Sequence, residues 1–178
     1  KQVDETLKSD NVKYEIDYRT IYLTDVTDMV NVKALYDKRI TALGYIEVDN
    51  LENILSDFDV EEKAEFMWHI VTAIAQWSEK YNAYVRAYSD SSYLIIMDKG
   101  QLQLMMKDNF SILDTIKTLV RAKPYQISLS IGIACEDLHI KELSNLADDQ
   151  LELALNRGGD QAVVLVNGTT RFYGAKTD

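Results

Sequence analysis

The stretch that decides the fold is Val85-Arg86-Ala87-Tyr88-Ser89-Asp90-Ser91-Ser92-Tyr93-Leu94-Ile95-Ile96-Met97. Two apolar, aromatic-rich runs flank a short polar turn at residues 89–92. β-branched and aromatic residues favour strands and small polar residues favour turns, so the pattern predicts an antiparallel hairpin. Helix-like segments precede and follow it, which predicts the central hairpin of an α+β sheet. The backbone amides of such a turn, at the rim of a sheet, can hold a phosphate.

The composition limits the kinds of ligand that the protein can bind and the compartment in which it works. The 178 residues include 29 acidic and 19 basic side chains, for a net charge of −10. This charge argues against a nucleic-acid polymer, because phosphate-backbone binding requires a basic surface. A single nucleotide needs only a few local donors. Cys135 is the only cysteine, which excludes an internal disulfide and favours a reducing compartment.

The N-terminal part predicts two short strands and a helix. Residues 14–17 and 20–23 alternate in the manner of strands. A two-stranded hairpin is marginal in water, so we expect its partners outside this sequence. A connector helix is predicted over residues 28–39, where apolar side chains recur at helical spacing. These are Met29, Val32, Leu35 and Tyr36.

The rest of the chain predicts one domain that begins near Ile40. Hydrophobic periodicity and turn residues indicate the order β-α-α-β-β-α-β-α-β. This order predicts a two-layer α+β sandwich, with a mostly antiparallel sheet and helices. The elements predicted around the hairpin are 43–48, 50–58, 61–80, 102–120, 126–135, 140–156 and 162–166.

Several stretches resemble GGDEF domains, which have the diguanylate cyclase fold. The strand at 127–134 resembles the family's vTvSiGvA, and residues 147–163 resemble its ADeALyrAKraGrnrV helix and strand. Glu47-Val48-Asp49-Asn50-Leu51 lies where the family has DiDhF, and residues 89–93 lie where GGDEF belongs. The resemblance implies the nucleotidyl cyclase-like sandwich for this domain.

Residues 110–114 and 156–161 resemble a narrower group, the GdpP/YybT phosphodiesterases that hydrolyse cyclic di-AMP. Members of this group combine membrane helices, a PAS domain, a degenerate GGDEF domain and a DHH/DHHA1 catalytic domain. The resemblance implies a cytoplasmic domain of a bacterial protein anchored in the plasma membrane, with Mn²⁺ only in the absent DHH domain. It assigns 1–27 to the last PAS strands, 28–39 to a connector helix, 40–166 to a degenerate GGDEF domain and 167–178 to a linker towards the DHH/DHHA1 domain.

The chain departs from the GGDEF pattern at the metal positions. A cyclase uses two carboxylates around two metal ions, and the first of these positions carries Glu47 instead of Asp. The second depends on the alignment of the hairpin. If Tyr93 takes the place of the motif's phenylalanine, Ser91 falls at the ligand position. If Arg86 is aligned instead, Asp90 falls there.

This chain also differs from the GGDEF pattern at the positions that bind the nucleotide in a cyclase. By the resemblance, Leu55 replaces the asparagine that reads guanine, and its acidic partner position falls at Ala64 or Glu65. Leu155 replaces the phosphate-binding lysine, and Gly159 replaces the arginine that follows. We therefore expect no cyclisation of guanosine triphosphate.

A vestigial site remains at the ends of the strands, and no catalytic residue is assigned to it. Glu47, Asp49 and Asp90 are the candidate metal ligands, with Mg²⁺ bound together with a nucleotide. The alternative is that these are solvated charges and an ordinary hairpin turn. The candidate nucleotide-binding residues are Asn50, Arg86, Ser89, Asp90, Ser91 and Ser92.

Three functional hypotheses follow from the sequence. The first is a regulatory module that couples a PAS sensor to the DHH phosphodiesterase of the same chain and binds a small nucleotide weakly. The second is a residual, metal-dependent nucleoside triphosphate hydrolase. The third is a structural spacer, in which residues 28–39 form a two-chain stalk in a homodimer.

Overall fold

A mixed sheet of six strands forms the centre of the larger part of the chain. The computed structural model describes residues 12–17, 20–25, 27–119 and 127–174. The chain divides between Arg39 and Ile40 into two compact units. The first contains β1 (Val12–Asp17), β2 (Thr20–Asp25) and α1 (Thr27–Lys38). The second contains β3 (Thr41–Asp49), α2 (Leu51–Ser56), α3 (Val60–Lys80), β4 (Tyr84–Ala87), β5 (Ser92–Asp98), α4 (Lys99–Lys107), α5 (Ile112–Thr118), β6 (Ser128–Cys135), α6 (Ile140–Asn156), β7 (Gln161–Val166) and β8 (Thr169–Gly174).

The six strands lie in the order β4-β5-β3-β6-β7-β8. Neighbouring strands are antiparallel except β6 and β7, which are parallel. A parallel pair requires a crossover connection, which α6 provides. The predicted hairpin of β4 and β5 forms, but β4 is an edge strand, and β3 and β6 occupy the centre. The predicted α+β class and mostly antiparallel sheet are confirmed.

Helices cover both faces of this sheet, whereas the sequence predicted two layers. On β3, Ile46 and Val48 belong to the main core with α2, α3, α4 and α5. Leu43, on the alternate face, packs with Leu143 and Ala147 of α6 in a second, smaller core. Successive residues of a strand point to opposite faces, so α6 lies on the other side of the sheet from the remaining helices.

The longest helix, α3, begins where the sequence predicts. Asp59 accepts a hydrogen bond from the backbone N–H of Glu62, and the Glu62 side chain accepts one from the backbone N–H of Asp59, which forms a capping box. The inward stripe contains Phe66, Ile70 and Ile74, which are buried.

The prediction of one helix over residues 102–120 is wrong, because this segment forms two helices, α4 and α5. Asn109 and Phe110 have φ angles of 50° and 52°, a backbone conformation that ends a right-handed helix. This turn buries the Phe110 ring completely in the main core. Asp108 fixes the turn, because its carboxylate accepts hydrogen bonds from Tyr81 Oη at 2.5 Å and from Ser111 Oγ.

This carboxylate makes the stability of the fold depend on pH. Hydrogen bonds from Ser111 and Tyr81 hold the pKa of Asp108 below its ordinary value of 3.8. A lowered folded-state pKa contributes stability that is present above the unfolded value and lost as pH falls through the folded one.

We therefore expect Asp108→Asn to lower the free energy of unfolding near pH 7, with a difference from the unmodified chain that shrinks below pH 3.8. Urea unfolding at a series of pH values measures this difference. Asp114→Asn is the matched control, because the Asp114 side chain is 92% exposed. A difference that stays constant down to the lowest pH would contradict the prediction.

The last strand was missed by the sequence prediction, which ended the domain at residue 166 and assigned 167–178 to a linker. β8 pairs antiparallel with β7 along its whole length. Asn167 and Gly168 both have positive φ angles, as a tight two-residue hairpin turn requires. The described domain therefore continues to Gly174, and residues 175–178 of the predicted linker lie outside the described residues.

The N-terminal unit contains the predicted pair of short strands and the predicted helix. β1 and β2 pair antiparallel, and α1 closely matches the connector predicted over 28–39. None of the residues of α1 is buried. The assignment of residues 1–27 to a PAS domain remains a prediction, and residues 1–11, 18, 19 and 26 lie outside the described residues.

Candidate functional site

The carboxylate of Glu47 is hydrogen-bonded to the hairpin between β4 and β5. Glu47 lies near the end of β3, and the register of β3 with β5 places Ser92 opposite it. Ser92 Oγ donates a hydrogen bond of 2.6 Å to Glu47 Oε2. Ser89 Oγ donates in turn to Ser92 Oγ at 2.8 Å. A protein hydroxyl therefore contacts the side chain that corresponds to the first predicted metal ligand.

The turn between β4 and β5 is held by its own serines. The backbone N–H groups of Ser91 and Ser92 donate to Ser89 Oγ at 3.2 and 3.0 Å. The Ser91 carbonyl accepts from the N–H of Val48 at 2.8 Å, which fixes the turn against β3. Two amides that were predicted to hold an anion thus already have an acceptor. Asp90 is exposed at the tip of the turn.

Asp49 accepts hydrogen bonds from three residues that are distant from it in the chain. Its Oδ2 accepts from Ser128 Oγ at 2.6 Å and from the Asp160 N–H at 3.2 Å, and its Oδ1 accepts from Ser130 Oγ at 2.8 Å. Gly159 lies so close that a Cβ atom there would be 2.7 Å from Asp49 Oδ2. The geometry gives Asp49 a bonding role that joins β3, β6 and the turn after α6.

The turn after α6 continues this network to another helix. Asp160 has a positive φ of 57°, and its Oδ2 pairs with Lys117 Nζ of α5 at 2.7 Å. The backbone N–H of Gly159 donates a hydrogen bond of 3.1 Å to the Ala154 carbonyl, which caps the C-terminus of α6. The position of the Asp160 amide beside Asp49 is therefore fixed from both sides.

Two tyrosines beside Glu47 were not predicted. Tyr45 Oη shares a hydrogen bond of 2.7 Å with Ser144 Oγ of α6, and its ring meets that of Tyr88 edge-on at 6.2 Å. Partial burial of its hydroxyl end raises the pKa of Tyr88, and the nearby charge of Glu47 raises it further. The signal was in the sequence, since Tyr45 shares the face of β3 with Glu47.

Two further residues of the predicted site are Asn50 and Arg86. Asn50 has a left-handed φ of 58° at the start of α2 and is exposed. Arg86 is exposed on β4, opposite Leu94 of β5. Within the described ranges, no group of three His, Cys, Asp or Glu side chains has the arrangement of a metal site. The structure does not gather Glu47, Asp49 and Asp90 into one such group.

Comparison of the sequence with known protein families identifies the family of this domain. Residues 46–172 match the family described as cyclic-di-AMP phosphodiesterase GdpP-like, GGDEF domain. The chain belongs to this family. The GdpP-like GGDEF domain thus covers most of the second unit, from β3 into β8.

Curated relatives match nearly the whole chain. The cyclic-di-AMP phosphodiesterase GdpP of Bacillus subtilis (strain 168) is 30% identical over 98% of this chain and 27% of its own length. A membrane protein-large ribosomal subunit bL9 fusion protein of Aster yellows witches'-broom phytoplasma (strain AYWB) is 32% identical over 96% of this chain and 20% of its own length. The chain therefore spans about a quarter or less of these relatives.

Solved GGDEF domains share the fold. The GGDEF domain of DgcB from Caulobacter crescentus, in complex with c-di-GMP, superposes with a TM-score of 0.61 over 78% of this chain and 88% of its own, at 10% identity. A diguanylate cyclase/phosphodiesterase from Caldicellulosiruptor saccharolyticus gives 0.59 over 81% and 87%, at 18% identity. Among the residues that the structure describes, no helix has the length and apolar character needed to cross a membrane.

Within the GdpP-like GGDEF domain, the structure bears on the alignment of the hairpin. Tyr93 is 3% exposed and belongs to the main core. If the motif's phenylalanine is aligned with this buried aromatic residue, Ser91 falls at the second ligand position. Leu55 packs partly buried against the main core, and Leu155 is 43% exposed. Neither side chain offers a hydrogen bond or a charge to a nucleotide.

Proposed function

We propose that this GdpP-like GGDEF domain is a regulatory module that does not cyclise nucleotides but binds one weakly. The observation that carries the proposal is that both strand-end carboxylates accept hydrogen bonds from protein hydroxyls, Glu47 from Ser92 and Asp49 from Ser128 and Ser130. A cyclase needs such carboxylates for its metal ions. In the longer protein, the module couples a PAS sensor to a DHH phosphodiesterase domain.

The chemistry of the site fits one magnesium ion with a nucleotide rather than two ions with a triphosphate. Mg²⁺ is commonly held by one or two carboxylates, with phosphate oxygens and waters as its other ligands. Glu47 Oε1 and the exposed Asp90 are the carboxylate oxygens that suit this role. Because Leu155 and Gly159 stand where a cyclase has a lysine and an arginine, the phosphates of the nucleotide are held mainly by the magnesium ion. No side chain of the described residues is placed to recognise the base.

We expect calorimetry to show magnesium-dependent binding of ATP and GTP with similar dissociation constants near millimolar, about −4 kcal/mol. The double variant Glu47→Ala, Asp90→Ala should remove the magnesium dependence without unfolding the domain. Asp149→Ala combined with Glu79→Ala is the matched control, since both residues are exposed carboxylates elsewhere. Incubation of the domain with GTP and Mg²⁺ should yield no cyclic dinucleotide.

The outcomes separate the hypotheses. Equal binding by the double variant, or no binding to the unmodified domain, would overturn the nucleotide-binding part of the proposal. Clear formation of cyclic di-GMP would overturn the loss of cyclase activity. Steady release of phosphate from ATP, lost in the double variant, would instead support a residual hydrolase.

A second function, dimerisation, is favoured by the exposure of α1. Met29, Val32 and Tyr36 recur at spacings of three and four residues and are 72%, 65% and 60% exposed. Such a stripe is typical of a two-chain coiled coil. We propose that α1 pairs with α1 of a second copy.

Sedimentation equilibrium of the whole chain should therefore show a concentration-dependent dimer, and Val32→Lys should shift it to monomer because a charge enters the seam. Val60→Lys is the matched control, because Val60 is 82% exposed on α3. A monomer at all concentrations, or an unaffected dimer in Val32→Lys, would count against the pairing of α1.

A further inference from the structure

A groove between α3 and α5 lies away from the site described above. Its volume is about 520 Å³, within the range of small-molecule sites. The groove belongs to the helices of the main core, on the opposite side of the sheet from Glu47 and α6. Among the residues that line it are Trp68, Gln76, Trp77, Lys80, Ser111 and Thr115.

The charge of this groove differs from that of the whole chain. The chain carries 29 acidic side chains against 19 basic ones, yet none of the described residues that line the groove is Asp or Glu. Lys80 stands at one end with 59% of its side chain exposed. Lys80 Nζ donates a long hydrogen bond of 3.5 Å to Asp108 Oδ2, which also accepts from Tyr81 and Ser111 and lies outside the lining of the groove. The groove therefore favours an anion at the Lys80 end.

Both tryptophans of the chain line the groove. Trp68 is 62% exposed, which leaves a large aromatic face for stacking. Trp77 is 6% exposed, and its indole Nε1 has no hydrogen-bond partner among the described residues. This nitrogen is itself closed off from solvent, so Trp77 contributes its ring to the wall of the groove and Trp68 offers the face for stacking.

We propose that this groove binds a small molecule that combines an aromatic ring with one anionic group, such as an aromatic carboxylate. The ring stacks on Trp68, and the anion faces Lys80. Gln76, Ser111 and Thr115 give the remaining wall a polar character. This proposal does not depend on nucleotide binding at Glu47, because different residues on the other side of the sheet carry it.

The two indole N–H resonances in a ¹H–¹⁵N spectrum of the whole chain report on this groove directly. Titration with 2-naphthoate should shift both resonances saturably, because the ring current of the ligand acts on both indoles that line the groove. The neutral analogue 2-naphthamide should bind more weakly. Lys80→Gln should weaken 2-naphthoate binding about fivefold, and Trp68→Ala by a similar factor. Lys141→Gln, an exposed lysine on α6, is the control for net charge and should bind normally.

The proposal is overturned if neither indole resonance moves at millimolar 2-naphthoate. It is also overturned if 2-naphthoate and 2-naphthamide bind equally and Lys80→Gln has no effect, because binding would then reflect apolar contact alone. Lys80 and Trp68 are exposed, so both variants should fold, and far-ultraviolet circular dichroism checks this. The double variant Glu47→Ala, Asp90→Ala should bind 2-naphthoate normally, which separates this groove from the nucleotide site.

Discussion

Gly132→Ala is expected to prevent folding or to destabilise the domain by about 3 kcal/mol or more. Gly132 lies on β6, where α6 crosses the sheet in close contact. A Cβ atom at this position would lie 2.0 Å from the backbone N of Leu151 and 2.6 Å from the carbonyl O of Ala147. Both neighbours are helix backbone, which cannot move aside as a flexible side chain can. The helix must shift as a unit, and the small core of α6 would open.

Urea unfolding followed by circular dichroism measures this effect. Gly168→Ala is the matched control, because a Cβ atom there has nothing within 4 Å and only the φ of 67° is unfavourable. We expect that control to cost about 1 kcal/mol. Comparable losses for the two variants would show that α6 does not contact β6 as closely as the structure places it.

Asp49→Ala is expected to cost about 3 kcal/mol of folding stability, because hydrogen bonds to charged groups contribute about 1.5–3 kcal/mol each. The substitution leaves the hydroxyls of Ser128 and Ser130 and the N–H of Asp160 without their acceptor. These donors are partly or fully buried, so solvent replaces the carboxylate incompletely. Thermal and urea unfolding of the purified domain measure the loss.

The control distinguishes a structural carboxylate from a ligand-binding one. Asp90→Ala removes an exposed carboxylate at the hairpin tip, and we expect its stability to lie within about 0.5 kcal/mol of the unmodified domain. A stable Asp49→Ala variant that loses magnesium-dependent nucleotide binding would contradict the bonding role and restore Asp49 as a metal ligand.

Local patterns in the sequence, such as hydrophobic periodicity and turn residues, were enough to predict most of the helices and strands. The apolar stripe of α3, the paired runs of β4 and β5, and the glycines after α6 each act through neighbours in the chain. The same patterns carried the resemblance that the family match confirms. These features could be predicted because periodicity and capping act over a few residues.

Elements that depend on distant partners could not be predicted. The break between α4 and α5 occurs at Phe110, whose ring is buried in the main core. Asp108 accepts a hydrogen bond there from Tyr81, which directly follows α3. A sequence pattern shows only an uninterrupted apolar stripe there. β8 has mostly exposed side chains, so it lacks a buried face and becomes a strand through its pairing with β7.

The sequence by itself determined the class of fold and the family. It also predicted that Leu55, Leu155 and Gly159 replace residues that bind the nucleotide in a cyclase. Only the tertiary structure decided what the two carboxylates do. β3 lies between β5 and β6, so the register of each neighbour brings a serine to each carboxylate, Ser92 to Glu47 and Ser128 to Asp49. These pairs are 45 and 79 residues apart. Strand order and register are set by the packing of the whole sheet, which no local pattern contains.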